Sequence, residues 1–240
     1  MITSDRERVH REVVSFVRRS ARMRPNQREA WDRLHDRFVI EVPRLQTSTS
    51  VDPAVTVDLS AVFGRRAPLV VEVGPGTGES LVPMARAHPD ANILAFEVYQ
   101  PAIAQILAAL ERDAVDNVRL LEADAVAGLD HVVPPGSVDA VWTFFPDPWH
   151  KARHHKRRLV DRAFADLVAA RMRPGGHWRL ATDWSDYAEQ MRAVLDHHPA
   201  FVNQHDGWAP RWDARPVTRF EQRGLEAGRT IVDLDYRRVD

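Results

Sequence analysis

Leu69-Val70-Val71-Glu72-Val73-Gly74-Pro75-Gly76-Thr77-Gly78 decides how this chain folds. Its first five residues are apolar but for Glu72 and rich in valine, which suits a short buried strand. Glycines at alternate positions then form a tight turn, where positive φ carries no steric cost and a ligand can approach the backbone. Leu81, Val82, Met84 and Ala85 follow, and a helix is predicted from near Glu79. Strand, glycine turn and helix compose the first unit of a doubly wound sheet, whose ligands sit at the C-terminal ends of the strands.

Reading outward, Asn92 to Glu97 predicts the second strand and ends in an acid 23 residues after Gly74. A carboxylate there can take both hydroxyls of a ribose. A glycine turn alone is weak, and the pair is much stronger. A helix is predicted over Pro101 to Glu111, with Ile103, Ile106, Leu107 and Leu110 on its core face. Asn117 to Leu121 reads as the third strand. Asp124 follows it, placed to reach an adenine amino group or to cap a helix beginning near Ala125. Val138 to Thr143 reads as the fourth strand and Leu159 to Met172 as a helix stopped by Arg173-Pro174-Gly175-Gly176. His177 to Thr182 predicts the fifth strand, Ser185 to Leu195 a helix, and Thr230 to Tyr236 a last strand. Glu72, Glu97, Asp124, Asp147 and Asp183 then share one edge of the sheet and outline a site.

Phe144-Phe145-Pro146-Asp147-Pro148-Trp149-His150-Lys151-Ala152-Arg153-His154-His155-Lys156-Arg157-Arg158 starts at the end of the fourth strand. The bland reading is a proline turn followed by a solvated helix face. The functional reading is a carboxylate held between two fixed φ angles beside a basic apron. On that reading Lys151, Arg153, Lys156, Arg157 and Arg158 contact phosphates. Residues 1 to 24 hold seven arginines against Asp5, Glu7 and Glu12, which fits a phosphate-seeking arm or a solubilising terminus equally well. Thr218-Arg219-Phe220-Glu221, judged on sequence alone, is a loop before the last strand.

The 240 residues are 44% hydrophobic, enough for one sizeable α/β domain. Three segments are expected: a basic arm and short helix over 1–43, the helix from Asn26 to Phe38; an irregular connection over 44–68; and the main domain over 69–240. With 33 Lys/Arg against 34 Asp/Glu the formal charge is -1, so an anionic partner must be met by a local patch. The absence of cysteine excludes disulfides, thiolate metal sites and a cysteine nucleophile. No apolar run approaches the roughly 20 residues of a membrane span. Arg18-Arg19 is not followed by an apolar h-region, so a soluble, unexported, cytoplasmic protein is expected. His150, His154 and His155 lack a supporting ligand set, and no metal is expected.

The turn is spaced Gly-x-Gly-x-Gly, which resembles the S-adenosylmethionine turn of class I methyltransferases more than the dinucleotide fingerprint. Glu72 adds a negative charge that suits a zwitterionic, sulfonium-bearing cofactor better than a diphosphate. The turn, Glu97, Phe145-Pro146-Asp147-Pro148-Trp149 with its basic tail, Ala181-Thr182-Asp183-Trp184 and Thr218-Arg219-Phe220-Glu221 together resemble the bacterial tRNA (guanine-N7)-methyltransferases, from about Ser15 to the C-terminus. The resemblance implies a Rossmann-like class I methyltransferase fold: a mostly parallel seven-stranded sheet with helices on both faces and an antiparallel C-terminal strand. It implies methyl transfer from S-adenosylmethionine to N7 of a guanine in the tRNA variable loop. Asp147 would be catalytic, and Glu72, Gly74, Gly76, Gly78, Glu97, Asp124 and Asp147 would bind the cofactor. Lys151, Asp183, Thr218, Arg219, Phe220 and Glu221 would bind the tRNA. No membrane and no obligatory protein partner are implied, for a monomer or homodimer. His150, Pro75 and Arg219 depart from the pattern expected of the family. The rival readings are methylation of an exocyclic amine on RNA, a dehydrogenase, and a non-catalytic RNA-binding protein.

Overall fold

The computed structural model describes residues 22–45, 47 and 49–240, and the basic arm before residue 22 lies outside them. The stretch before the glycine turn forms β1 (Leu69–Val73), buried along its whole length. Leu69, Val71 and Val73 enter one core and Val70 the other, as the two-residue period of a strand requires. β2 (Asn92–Glu97), β3 (Val118–Glu122), β4 (Val138–Phe144) and β5 (Met172–Thr182) lie parallel to it. β6 (Phe201–Asn203) and β7 (Val232–Arg238) complete a seven-stranded sheet ordered β3-β2-β1-β4-β5-β7-β6. β7 runs antiparallel to both of its neighbours, as expected of the C-terminal strand.

Helices cover both faces. On one, α1 (Pro25–Phe38), α3 (Leu81–Ala87) and α4 (Gln100–Arg112) bury Leu34, Phe38, Leu81, Met84, Ile103, Ile106 and Leu107. On the other, α5 (Ala125–Val132), α6 (Arg162–Arg171) and α7 (Ser185–Asp196) bury Leu129, Phe164, Val168, Tyr187 and Met191. The chain winds outward from β1 to β3, then crosses back to β4 beside β1. That reversal opens a crevice at the C-terminal ends of β1 and β4.

Several boundaries move for local physical reasons. The helix expected from Leu159 begins at Arg162, because Asp161 caps it by accepting from the Phe164 N–H at 2.9 Å. The fifth strand begins at Met172, five residues early. Arg173 to Gly176 bulge out as the register passes from Val138 opposite Met172 to Ala140 opposite His177. A side chain at Gly176 would meet the Asp139 carbonyl at 2.9 Å. The 44–68 connection contains α2 (Leu59–Phe63), capped by Asp58. β6 was not foreseen, and neither was α8 (Arg219–Glu226), which occupies part of the expected loop.

Gly128 of α5 lies against the buried ring of Phe96, and an added Cβ would stand 2.5 Å from that ring. Replacing a helical glycine by alanine gains roughly 1 kcal/mol of propensity, against an overpacking cost of about 1–3 kcal/mol. Gly128→Ala is therefore expected to lose up to about 2 kcal/mol in urea unfolding. A raised midpoint would mean that the Phe96 ring retreats freely.

Candidate active site

The glycine turn leaves β1 with Gly74 at φ 68°, Gly76 at 57° and Gly78 at 80°, all left-handed. Side chains at Gly74 or Gly76 would meet no protein atom within 4 Å, whereas one at Gly78 would meet Ile106 at 2.8 Å. The first two glycines keep space open for a ligand, and the third allows the turn to pack on α4. Beneath the turn Glu72 is 1% exposed. Its Oε1 accepts from Ser80 at 3.1 Å, and its buried Oε2 has no partner. Burial pushes its pKa up to about 8, with the Ser80 hydroxyl pulling the other way.

Glu97, at the end of β2, accepts from the amides of Gly76, Val98 and Tyr99 at 3.0, 2.8 and 2.9 Å. Burial holds its carboxyl above the usual range in spite of these amides, and the nearby Asp147 charge adds to the shift. Asp124 caps α5 by accepting from Val126 at 2.9 Å, while its own amide donates to Thr49 at 2.9 Å. The capping reading is thus observed, on the same edge as Glu97.

The loop after β4 carries an exposed Asp147. Phe145 and Trp149 bracket Pro146-Asp147-Pro148 with φ 52° and 47°. Left-handed non-glycine residues cost about 1–3 kcal/mol each and persist where surrounding structure over-determines them. Phe145 donates to the Ala181 carbonyl at 2.7 Å, and its ring meets Phe220 at 5.3 Å. Arg215, 1% exposed, places its guanidinium 5.2 Å from the Phe145 ring centre. It pairs with Glu221 at 2.6 Å and Asp233 at 2.9 Å. Sequence reasoning missed Arg215, a buried cation in a stretch without apolar periodicity.

Thr218 caps α8 by accepting from Glu221 at 3.2 Å. Arg219 reaches across to Glu79 in the glycine turn, its amide donating at 2.7 Å. Asp183 pairs with Arg229 at 2.7 Å, and Phe220 is 49% exposed. A cleft of about 450 Å³ runs between turn and helix, lined by Glu72, Gly74, Gly76, Phe145, Arg215 and Phe220 among others. The structure brings Glu72, Gly74, Gly76, Thr218, Arg219 and Phe220 to this cleft, while Gly78, Glu97, Asp124 and Asp147 lie outside its lining. Glu221 lies buried behind it, and Lys151 and Asp183 stand outside its lining.

The basic segment forms a 3-10 turn over Ala152–Arg157. Lys151, Arg153 and Lys156 are exposed and form no ion pair with a carboxylate among the described residues. His154 is held below the usual imidazole range, by local desolvation first and then by Arg157, Arg153, Lys151 and Lys156. Arg158 is a correction to the phosphate-contact reading. It is buried and donates to the Pro148 carbonyl, Gln190 and Asp186 at 2.8, 2.9 and 2.7 Å. It anchors the loop from below.

A buried acid with an unpartnered oxygen, open glycine backbone and arginines across the cleft suit the ammonium and carboxylate of an amino-acid-bearing cofactor. A family profile described as "Putative methyltransferase" matches residues 66–234. The chain is 54% identical over 237 residues to a tRNA (guanine-N(7)-)-methyltransferase of Cutibacterium acnes, covering 98% of this chain and 86% of that one. It is 48% identical over 237 residues to the protein of that name from a Nocardioides species, covering 99% and 91%. Among solved structures the 16S rRNA methyltransferase KamB superposes with a TM-score of 0.57 at 15% identity, over 76% of this chain and 93% of that one, a likeness of fold.

Folding leaves a proton on Glu72 that the unfolded chain releases near its ordinary value of 4.5. This contribution to stability is full below that value and is lost as pH rises toward about 8. Glu72→Gln is expected to match the wild type near about pH 5 and to exceed it by on the order of 5 kcal/mol above about pH 8, without cofactor. Parallel stability curves for the two proteins would refute the shift.

Proposed function

We infer that this chain, which belongs to the tRNA (guanine-N7)-methyltransferase family, carries out that family's reaction, methyl transfer from S-adenosylmethionine to N7 of a guanine in tRNA. The finer assignment we propose is a guanine of the variable loop, with the residue roles below. The observation that carries it is Asp147, held by two prolines and two left-handed residues between the cofactor turn and the unpaired cations.

S-adenosylmethionine supplies an electrophilic methyl group when bound. Glu72, Gly74, Gly76, Gly78, Glu97, Asp124 and Asp147 would hold it. The buried Glu72 carboxyl faces the demand of an ammonium group, and Glu97 that of the ribose hydroxyls. Guanine N7 has a lone pair and no proton, so no strong base is needed to expose it. The protein's task is alignment, which is worth many orders of magnitude in rate when reacting atoms are held close. Asp147 offers a fixed carboxylate for donors on the guanine and for the positive charge that the purine gains. Its neighbour Glu97 is largely occupied by backbone amides, which leaves Asp147 as the acceptor exposed to an incoming base.

Lys151, Arg153 and Lys156 would fix the register of the tRNA through its phosphates, without reading sequence. Thr218, Arg219 and Phe220 would present the edge of α8 to the substrate, with Glu221 securing the helix beneath and Asp183 marking the far limit of the site. The membrane has no part in this reading, and no helix among the described residues is long and apolar enough to cross one.

Incubation with S-adenosylmethionine and unmodified tRNA transcript, followed by digestion and mass spectrometry, should yield 7-methylguanosine from the variable loop. A methylated amine would replace the reading. Asp147→Asn should lose about 100-fold or more in single-turnover rate at saturating cofactor. Wild-type turnover by that variant would remove Asp147 from the chemistry. Lys151→Ala and Lys156→Ala should each lower the slope of log affinity against log salt by about 1. An unaltered slope would mean that these cations are merely solvated.

A further inference from the structure

We propose that His150 and Trp184 form a stacking platform for an unpaired tRNA base that neighbours the methylated guanine in the strand. The proposal rests on tRNA being the substrate and adds a second base-binding position to the site.

The two rings come from different turns of the same sheet edge. His150 follows the loop after β4, and Trp184 follows β5. Their centroids lie 4.2 Å apart with planes inclined at 51°. His150 is exposed and Trp184 half-buried, packed on its inner side against the core beneath α6 and α7. The ring pair thus has support below and solvent above.

Its position separates it from the methylation cleft. The cleft is lined by Phe144, Phe145 and Phe220, and Phe144 packs against the core on the α3 and α4 face. Neither His150 nor Trp184 lines it. Cleft and platform therefore flank the Asp147 loop from opposite faces of the sheet. A base lodged beside Asp147 would leave the next nucleotide of an unpaired strand to pass over the loop toward Trp184.

The surroundings favour nucleic acid over protein. Lys151, Arg153 and Lys156 are exposed beside the pair and lack carboxylate partners among the described residues. Of the nearby acids, Asp186 is engaged by Arg158 at 2.7 Å and Asp183 by Arg229 at 2.7 Å, and Asp147 is the one assigned to the target guanine. Single-strand sites combine a cationic track with aromatic faces, because every base has a π-face to stack. Trp149, the indole of the Asp147 loop itself, is a poorer platform. Arg157 lies over its ring at 5.0 Å and His154 meets it edge-on. The platform is also braced, since the Pro148 carbonyl is held by Arg158, whose guanidinium lies 4.8 Å from the Tyr187 ring.

Binding of unmodified tRNA transcript, measured directly without turnover, tests the assignment. His150→Ala and Trp184→Leu should each weaken Kd by about tenfold, and Trp184→Phe should stay within about twofold of wild type. Stacking involves no ion release, so the salt slope of these variants should equal that of wild type, unlike Lys156→Ala. Transcripts with single abasic sites around the target guanine supply the second arm. One abasic site should weaken wild-type binding by about tenfold and leave His150→Ala indifferent. Wild-type Kd for His150→Ala, or abasic losses that stay additive with it at every position, would overturn the platform. His150 is exposed, so its variant carries the test even where a Trp184 variant fails to fold. Failure of the parent reading is distinct: the wild-type protein would then form no 7-methylguanosine.

Discussion

The site depends on the burial of one cation. Arg215 is held between Glu221 of α8 and Asp233 of β7, with its guanidinium 5.5 and 5.2 Å from the ring centres of Phe144 and Phe145. Arg211 adds a second cation to Glu221 at 3.0 Å. A single charge therefore ties together the C-terminal helix, the antiparallel strand and the start of the Asp147 loop. Burial raises the Asp233 carboxyl above its ordinary range even with Arg215 beside it, so desolvation here is not fully offset. What the cluster contributes is geometry. Taking away its cation would strand the Asp233 carboxylate and leave Glu221 to Arg211 alone, a loss of about 3–5 kcal/mol. With Arg215 in place, the left-handed Phe145 is enclosed by a guanidinium, the Phe220 ring and the Ala181 carbonyl, which hold it against a strain of about 1–3 kcal/mol.

This explains why the antiparallel end of the sheet matters to chemistry at the parallel end. β7 pairs with β5 through Leu234 opposite Leu180 and Asp233 opposite Ala181, and Ala181 also accepts from Phe145. The Asp147 loop, the last strand and α8 are thus registered within a few residues of one another. On the other side Glu97 gathers three amides from two turns, joining the glycine turn to the start of α4. Each half of the cleft is set by a buried charge with several partners.

The sheet was legible because β1 to β5 are short buried runs bounded by turns, a signal carried within each segment. The same holds for the acids at the strand ends. What was not legible depends on distant partners. α8 buries Glu221 and Gly224, an acid and a glycine, so apolar periodicity cannot reveal its inner face. Arg158 looked like its exposed neighbours until Asp186 and Gln190, 28 and 32 residues away, were seen to claim it. Asp124 kept two readings because a cap and a ligand contact need the same side chain in the same place, and the cap is what the protein supplies alone. Lys151 and Lys156 are exposed, with no carboxylate at ion-pair distance among the described residues.

The pairing of the residues expected to meet tRNA bears on how the substrate enters. Arg219 is engaged by Glu79, Asp183 by Arg229, and Glu221 by Arg211 and Arg215. These engagements are not equivalent. Arg219 is 75% exposed in its pair, where such a contact is worth about 0–1 kcal/mol. A single phosphate contact made with counterion release can displace it. Glu221 and Arg215 are each 1% exposed in theirs, and parting them would cost several times more. Exchange of partners is therefore open to Arg219 and closed to Glu221. Arg219 is suited to trade the cofactor turn for the substrate, and Glu221 to keep α8 in place while it does so.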